Sequence, residues 1–249
     1  MKNKGICNLS VIPLRKAPES GSEIASQLLF GDVFTINSEP VNDWIAITTD
    51  YDNYTGYISL KQFAPYNEEI TTWQTITSYP FALLNNKRGN IMLPPGSTVP
   101  VSSPFTIGNE AYSLNNVHEK KLALTDIEPV AEQYLNTPYL WGGKTPFGID
   151  CSGLTQMVFK QCGIDLPRDA YQQAEVGETI AFVGETRVGD LAFFDNEAGR
   201  ITHVGIMLCG QKIIHASGRV RIDDLDHYGI MNVDQKQYSH KLRIIKRLF

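Results

Sequence analysis

One change of texture, at Thr125, constrains the fold of this chain more than any other feature of it. Before that residue no helical period survives, and short β runs alternate with turn residues. Val11 to Leu14, Gln27 to Phe30, Val33 to Ile36, Trp44 to Thr48 and Gly56 to Leu60 read as strands. Between them lie clusters such as Pro18-Glu19-Ser20-Gly21-Ser22 and Asp50-Tyr51-Asp52-Asn53, rich in the residues that turns require. This predicts a small β-barrel over residues 1–66. From about Asn67 to Leu124 the runs are less regular, because Pro80, Pro94-Pro95, Pro100 and Pro104 confine strands to short pieces or sheet edges. Leu28-Leu29-Phe30-Gly31-Asp32-Val33 is echoed by Met92-Leu93-Pro94-Pro95-Gly96-Ser97-Thr98-Val99, an offset of 65 at the glycine, so a second, duplicated barrel is expected over 67–124.

After Thr125 the period becomes helical. Thr125-x-x-Glu128 has capping-box spacing, Pro129 lies in the first turn, and Ile127, Val130, Ala131, Tyr134 and Leu135 share a face. This helix stops before Asn136-Thr137-Pro138. A second begins near Cys151, with Leu154, Met157, Val158 and Cys162 on one face and Gly163 as a left-handed cap. Past Val188, Leu191 to Phe194, His203 to Leu208, Lys212 to Ala216 and Leu242 to Ile245 read as strands. Helices followed by a largely antiparallel sheet make residues 125–249 an α+β domain.

Charge removes several function classes. With 22 basic and 27 acidic side chains the net charge is −5, and no basic run could neutralise a phosphate backbone, so nucleic acid is not an expected partner. No apolar run reaches the roughly 18 residues of a membrane span, and no apolar signal region follows Met1-Lys2-Asn3-Lys4. The expectation is a cytoplasmic protein, or an exported one if a leader was trimmed from the chain. The four cysteines, Cys7, Cys151, Cys162 and Cys209, include no C-x-x-C pair, which argues against a disulfide framework or a zinc knuckle.

Cys151 opens a predicted helix, where unpaired N–H groups and the macrodipole favour a thiolate, so it is the candidate nucleophile. It needs a base. His203 and His215 lie on two predicted strands joined around Cys209-Gly210-Gln211; if three residues form that loop, paired positions sum to 420 and both imidazoles share a face. A two-residue loop would separate them. A relay of Cys151, His203 and His215 is the chemistry of a thiol protease. The remaining histidines, His118, His227 and His240, are expected at the surface. A zinc site built from Cys151, Cys209, His203 and His215 lacks close ligand pairs, and neither a metal nor any cofactor is implied.

Six ordered blocks now carry a resemblance: Pro138-Tyr139-Leu140-Trp141-Gly142-Gly143, Gly148-Ile149-Asp150-Cys151-Ser152-Gly153-Leu154, Leu166-Pro167-Arg168-Asp169, Val188-Gly189-Asp190-Leu191, His203-Val204-Gly205-Ile206 and His215-Ala216-Ser217-Gly218. Together they resemble the NlpC-type papain-like cell-wall peptidases. The resemblance implies a papain-like domain with Cys151 as nucleophile, His203 as base and His215 as third member. It further implies that Tyr139 shares the oxyanion site with the backbone N–H of Cys151, and that Trp141, Ser152 and Arg168 line the substrate cleft.

With two SH3-like barrels in front, the whole chain resembles the dipeptidyl-peptidase VI subgroup, γ-D-glutamyl-L-diamino-acid endopeptidases. These act on cell-wall stem peptides with a free amino-terminal L-alanine. That implies murein-peptide recycling, with Asp169 taking the ammonium. Ser22-Glu23-Ile24 and Asn53-Tyr54-Thr55-Gly56-Tyr57 resemble the subgroup's first-barrel signatures, so Glu23 and Tyr54 are implied amine-side contacts, the barrel acting as a lid. Ala170 stands where the subgroup often has Ser, and Tyr57 where it has Trp. Two other readings stay open. One is an acyltransferase or amidase on the same core; the other is an inactive wall-binding protein, whose mark would be loss of Cys151, His203 or His215.

Overall fold

A computed structural model describes residues 4–66, 72–114 and 122–249. The chain divides into two compact units, Met1–Lys121 and Leu122–Phe249. No helix among the described residues is long and apolar enough to cross a membrane.

In the first unit, β1 (Lys4–Ile6), β2 (Val11–Arg15), β3 (Ile24–Leu29), β4 (Val33–Ile36), β5 (Trp44–Thr49), β6 (Thr55–Ser59) and β7 (Ala64–Pro65) form one antiparallel sheet in the order β3-β2-β6-β5-β4-β1-β7. Strict alternation in β5 drives its burial: Ile45, Ile47 and Thr49 point inward. The two isoleucines join Ile12, Leu14, Leu28, Phe34 and Ile58 in one apolar cluster.

The second stretch supplies β8 (Trp73–Thr75), β9 (Ala82–Asn86), β10 (Gly89–Leu93), β11 (Thr98–Pro100), β12 (Phe105–Ile107) and β13 (Glu110–Leu114). Its strand order, β10-β9-β13-β12 and β11-β8, repeats that of the first stretch with every label advanced by seven. The duplication extends to single hydrogen bonds. Gly31 N–H donates to the Cys7 carbonyl and Gly96 N–H to that of Ile76, both glycines having left-handed φ, +86° and +90°. One ladder is missing: nothing pairs β11 with β12 as β4 pairs with β5. Pro100 and Pro104, which have no N–H, bound the segment between them. The expected second barrel is therefore a four-stranded sheet beside a two-stranded ribbon. It is not an independent barrel, since Ile6 and Phe30 share a core with Ile76, Leu84, Leu93 and Tyr112. The expected boundary at Asn67 and the expected surface residue His118 lie outside the described residues.

In the second unit, a 3-10 turn (Leu124–Asp126) precedes α1 (Ile127–Gln133). The expected Thr125–Glu128 capping box does not form. Asp126 is the N-cap residue of α1 without a side-chain cap bond to it; its carboxylate accepts from the Ala123 N–H at 2.8 Å across the preceding 3-10 turn, and α1 is only 7 residues long. A short ribbon, β14 (Lys144–Thr145) and β15 (Gly148–Ile149), leads into α2 (Cys151–Gln161), which is followed by α3 (Ala170–Gln173). Every residue of α2 is buried, against the expectation of one apolar face. Several of its polar side chains find partners within the domain. Thr155 Oγ1 and Gln173 Oε1 are 2.7 Å apart, Gln156 Nε2 donates to the Leu166 carbonyl, and Gln161 Nε2 donates to Tyr134 Oη.

The remaining strands are β16 (Glu178–Ile180), β17 (Leu191–Asp195), β18 (Ile201–Leu208), β19 (Lys212–Ser217), β20 (Arg219–Leu225), β21 (Gly229–Asn232) and β22 (Gln237–Arg247). They pair in the order β16-β22-β17-β18-β19-β20-β21, and a further β22–β21 ladder closes six of them into a barrel. The antiparallel sheet expected in this unit is thus closed on itself. Ala192, Phe194, Met207, Ile213, Leu225, Ile230 and Ile245 form one buried apolar cluster of its strands.

Candidate active site

The start of α2 is held by a buried ion pair. Asp150, its N-cap, accepts from the N–H groups of Gly153 at 2.7 Å and Gly142 at 2.8 Å. Arg168 donates to both Asp150 oxygens, at 3.0 and 2.5 Å, and to Ser152 Oγ at 2.8 Å. Arg168 is 1% exposed. The guanidinium expected in the substrate cleft is therefore a brace for the helix start, and Ser152, also buried, is part of the same brace. Gly153 is required by contact: a Cβ there would sit 2.2 Å from the Gly143 carbonyl oxygen.

This brace delivers Cys151 to β18. Its Sγ lies 4.0 Å from the Thr202 carbonyl oxygen and takes a hydrogen bond from the Val204 N–H, so the sulfur meets the strand on both sides of His203. Burial pushes the thiol up to about 12, helped by the Asp150 charge and opposed by Arg168 and by the N–H groups of Val204 and Ser152. The helix terminus alone favours a thiolate; in a site this buried, desolvation wins.

β18 and β19 are joined by three residues, and Gly205 pairs with His215, Ile206 with Ile214 and Leu208 with Lys212. His203 and His215 consequently share a face, with His203 Nε2 and His215 Nδ1 2.8 Å apart. Both rings are buried. Desolvation, and then the neighbouring imidazoles of His215 and His240, hold His203 well below the usual histidine range. Both shifts favour the uncharged thiol and the uncharged imidazole, the arrangement suited to general-base attack.

Two members of this cluster were not foreseen. Asp223, fully buried on β20, lies with Oδ2 2.9 Å from His215 Nε2. His240, expected at the surface, is half-buried and stacks on His203 with centroids 4.1 Å apart. The available signal for Asp223 was the turn at Gly218, which pairs His215 with Arg221 and puts Asp223 on the same face two residues on. His227 is exposed, as expected.

Tyr139 completes the surroundings of the sulfur. Its hydroxyl is pushed above its usual range, first by burial and further by the negative charge of Asp150 and of Cys151 whenever that thiol ionises, so it stays a donor. Trp141 is 58% exposed beside it in sequence. Asp169 is half-buried at the start of α3, its N–H donating to Gln172 Oε1. Glu23 and Tyr54 belong to the first unit: Glu23 is exposed and pairs with Lys16 at 2.7 Å, while Tyr54 packs on the apolar core of that unit.

Among the described residues, the three imidazoles of His203, His215 and His240 are the group compact enough to hold a metal. Their ring nitrogens lie within 4.8 Å of one another, but His203 Nε2 and His215 Nδ1 bond each other at 2.8 Å and His240 Nδ1 is 2.9 Å from Ser239 Oγ, so these nitrogens are engaged without a metal. The four-residue zinc alternative fails, since Cys209, in the turn that follows β18, is six residues from His203, about 20 Å along an extended chain. Cys209 is exposed, and no disulfide links the four cysteines, all of which are described residues.

Residues 136–242 match the NlpC/P60 family, and residues 14–63 match the bacterial dipeptidyl-peptidase Sh3 domain. A gamma-D-glutamyl-L-lysine dipeptidyl-peptidase of Bacillus subtilis is 28% identical, the match spanning 91% of this chain and 81% of that protein. Dipeptidyl-peptidase 6 of Lysinibacillus sphaericus is also 28% identical, across 84% of this chain and 87% of the relative. The fold is shared with an NlpC/P60 family protein from Bacillus cereus, with a TM-score of 0.81 at 21% identity, covering 98% of this chain and 99% of that one.

Proposed function

We propose that this cysteine peptidase, an NlpC/P60 domain joined to a bacterial dipeptidyl-peptidase Sh3 domain, hydrolyses the amide between γ-D-glutamate and the diamino acid of cell-wall stem peptides bearing a free amino-terminal L-alanine. The observation that carries the chemistry is the buried thiol set against β18 on both sides of His203, with His203 Nε2 engaged by His215. Cys151 Sγ attacks the γ-carbonyl carbon while its proton passes to His203 Nδ1. The tetrahedral oxyanion is met by the Tyr139 hydroxyl and the Cys151 N–H. Collapse breaks the C–N bond, and the proton on Nδ1 goes to the leaving α-amine of the diamino acid. Water then attacks the thioester, losing its proton to the same nitrogen, and the acid and the free thiol are restored.

The substrate class is supported by the name of the Bacillus subtilis relative, gamma-D-glutamyl-L-lysine dipeptidyl-peptidase. Free-amine selectivity is supported by Asp169, a half-buried carboxylate in the capping box of α3, which is the charge suited to take the ammonium of an unacylated alanine. Such selectivity suits recycling of released peptides rather than cutting of intact wall. The test is a pair of substrates, L-Ala-γ-D-Glu-L-Lys and its N-acetyl form. Cleavage of the free-amine peptide at least about 100-fold faster supports the reading; equal rates overturn the amine requirement.

A further inference from the structure

We infer that Asp223 is a positioning residue of this site, setting through His215 the tautomer in which His203 presents a bare Nδ1 to the thiol. The inference rests on the reading of Cys151 and His203 as nucleophile and base.

The argument is one of donors and acceptors. Asp223 Oδ1 accepts from Arg221 Nη2 at 2.8 Å and from the Val233 N–H at 3.0 Å. Its Oδ2 accepts from Arg221 Nε at 2.7 Å and faces His215 Nε2 at 2.9 Å. Hydrogen bonds from His215, Arg221 and the Val233 N–H outweigh burial and hold the carboxyl well below its usual range, so it is an anion that can only accept. His215 must therefore carry its proton on Nε2. In its neutral form its Nδ1 is then a lone pair, and His203 Nε2, 2.8 Å away, must donate to it. Neutral His203 has one ring proton, and it is now committed; Nδ1 is left as the base. Each imidazole is a one-proton relay, so one buried carboxylate on β20 decides which nitrogen on β18 can take the thiol proton.

The same bonds say what an amide would do there. In Asp223→Asn, an NH₂ at the Oδ1 position would oppose two obligate donors, Arg221 Nη2 and the Val233 N–H. At the Oδ2 position it opposes Arg221 Nε, but His215 can become an acceptor by moving its proton to Nδ1. That shift makes His203 Nε2 accept and puts the His203 proton on Nδ1, facing the sulfur. The base is blocked while every ring stays in place.

The chain has only 5 histidines, so ring nitrogens can be assigned by ¹⁵N NMR on the intact protein without any substrate. The wild type is expected to show protonated Nε2 and bare Nδ1 on both His203 and His215; the opposite pattern on either ring overturns the inference, with no variant needed. In Asp223→Asn both tautomers are expected to invert, with kcat on L-Ala-γ-D-Glu-L-Lys falling about 10²- to 10⁴-fold and KM moving less than about threefold, as for the corresponding amide swap in serine peptidases. A fall in kcat with unchanged tautomers, or inversion with kcat intact, also overturns it. A wild type that leaves this peptide uncut would sink the substrate reading alone, because the wild-type tautomers judge Asp223 separately.

Discussion

His240 lies face to face with His203, ring centroids 4.1 Å apart and planes 20° from parallel. The stack limits rotation of the base about its Cα–Cβ–Cγ bonds, while Phe194 meets both rings at 5.8 and 5.9 Å. Replacing His240 by Ala removes the platform and is expected to cost about 2- to 10-fold in kcat, the worth of one aromatic contact. His240→Phe keeps a ring and should stay near wild type. Steady-state kinetics of the two variants check this: equal losses would mean that the imidazole nitrogens, rather than the stacked face, matter.

The pH dependence of kcat follows from the two shifted groups. His203 is held below the ordinary histidine value of about 6.5, so it is a neutral base at and above that pH and is lost only on acidification below it. Cys151 is pushed up to about 12, so the thiol keeps its proton until strongly basic pH. Thus kcat should be flat from pH 7 to about 9, with an acid limb below about 6.5. By contrast, kcat/KM should fall near pH 8 as the alanine amine, of ordinary value about 7.7–8.0, loses its proton. A bell-shaped kcat centred below pH 7 would instead indicate a resting thiolate and imidazolium.

Thiol labelling separates the same alternatives without a substrate. Cys209 is exposed, whereas burial pushes Cys162 up to about 11 and Cys151 up to about 12. Iodoacetamide at pH 7.5 should therefore modify Cys209 first, reversing the order that the helix terminus alone suggests. The rate at Cys151 should rise about tenfold per pH unit, following the thiolate fraction. Peptide mapping reads both; fast labelling of Cys151 that is flat below pH 8 would contradict the neutral pair.

The brace under the helix start makes a stability prediction. Removing Arg168 as Arg168→Leu leaves the Asp150 carboxylate buried without its cation, which should destabilise the protein by about 3–5 kcal/mol. Urea unfolding of this variant, followed by circular dichroism, checks it. A loss below about 1 kcal/mol, the size of an exposed pair, would contradict the assignment of Arg168 to the brace.

How much of this was legible in the sequence depended on whether one local rule dominated. The β18–β19 register could be read because loop length alone sets which faces two hairpin strands present, and three residues at Cys209-Gly210-Gln211 put both histidines together. The start of α2 was legible because Asp150 caps it in the ordinary way. The protonation of Cys151 was not, because the dipole at a helix terminus and the desolvation of a buried sulfur act in opposite directions, and only the folded structure sets the second. Asp223 and His240 were missed because β20 and β22 lack a clean apolar alternation; along the eleven residues of β22 only Ile245 is buried. The closed barrel was missed for the same reason, since its closing ladder joins β22 to β21.

The central claim, a Cys151 peptidase acting at the γ-D-glutamyl bond, is tested most directly by mass spectrometry of L-Ala-γ-D-Glu-L-Lys and its meso-diaminopimelate analogue incubated with the wild type and with Cys151→Ala. The predicted result is release of the dipeptide L-Ala-γ-D-Glu and the free diamino acid by the wild type alone. Release of alanine, cleavage at any other bond, or undiminished cleavage by Cys151→Ala would contradict it.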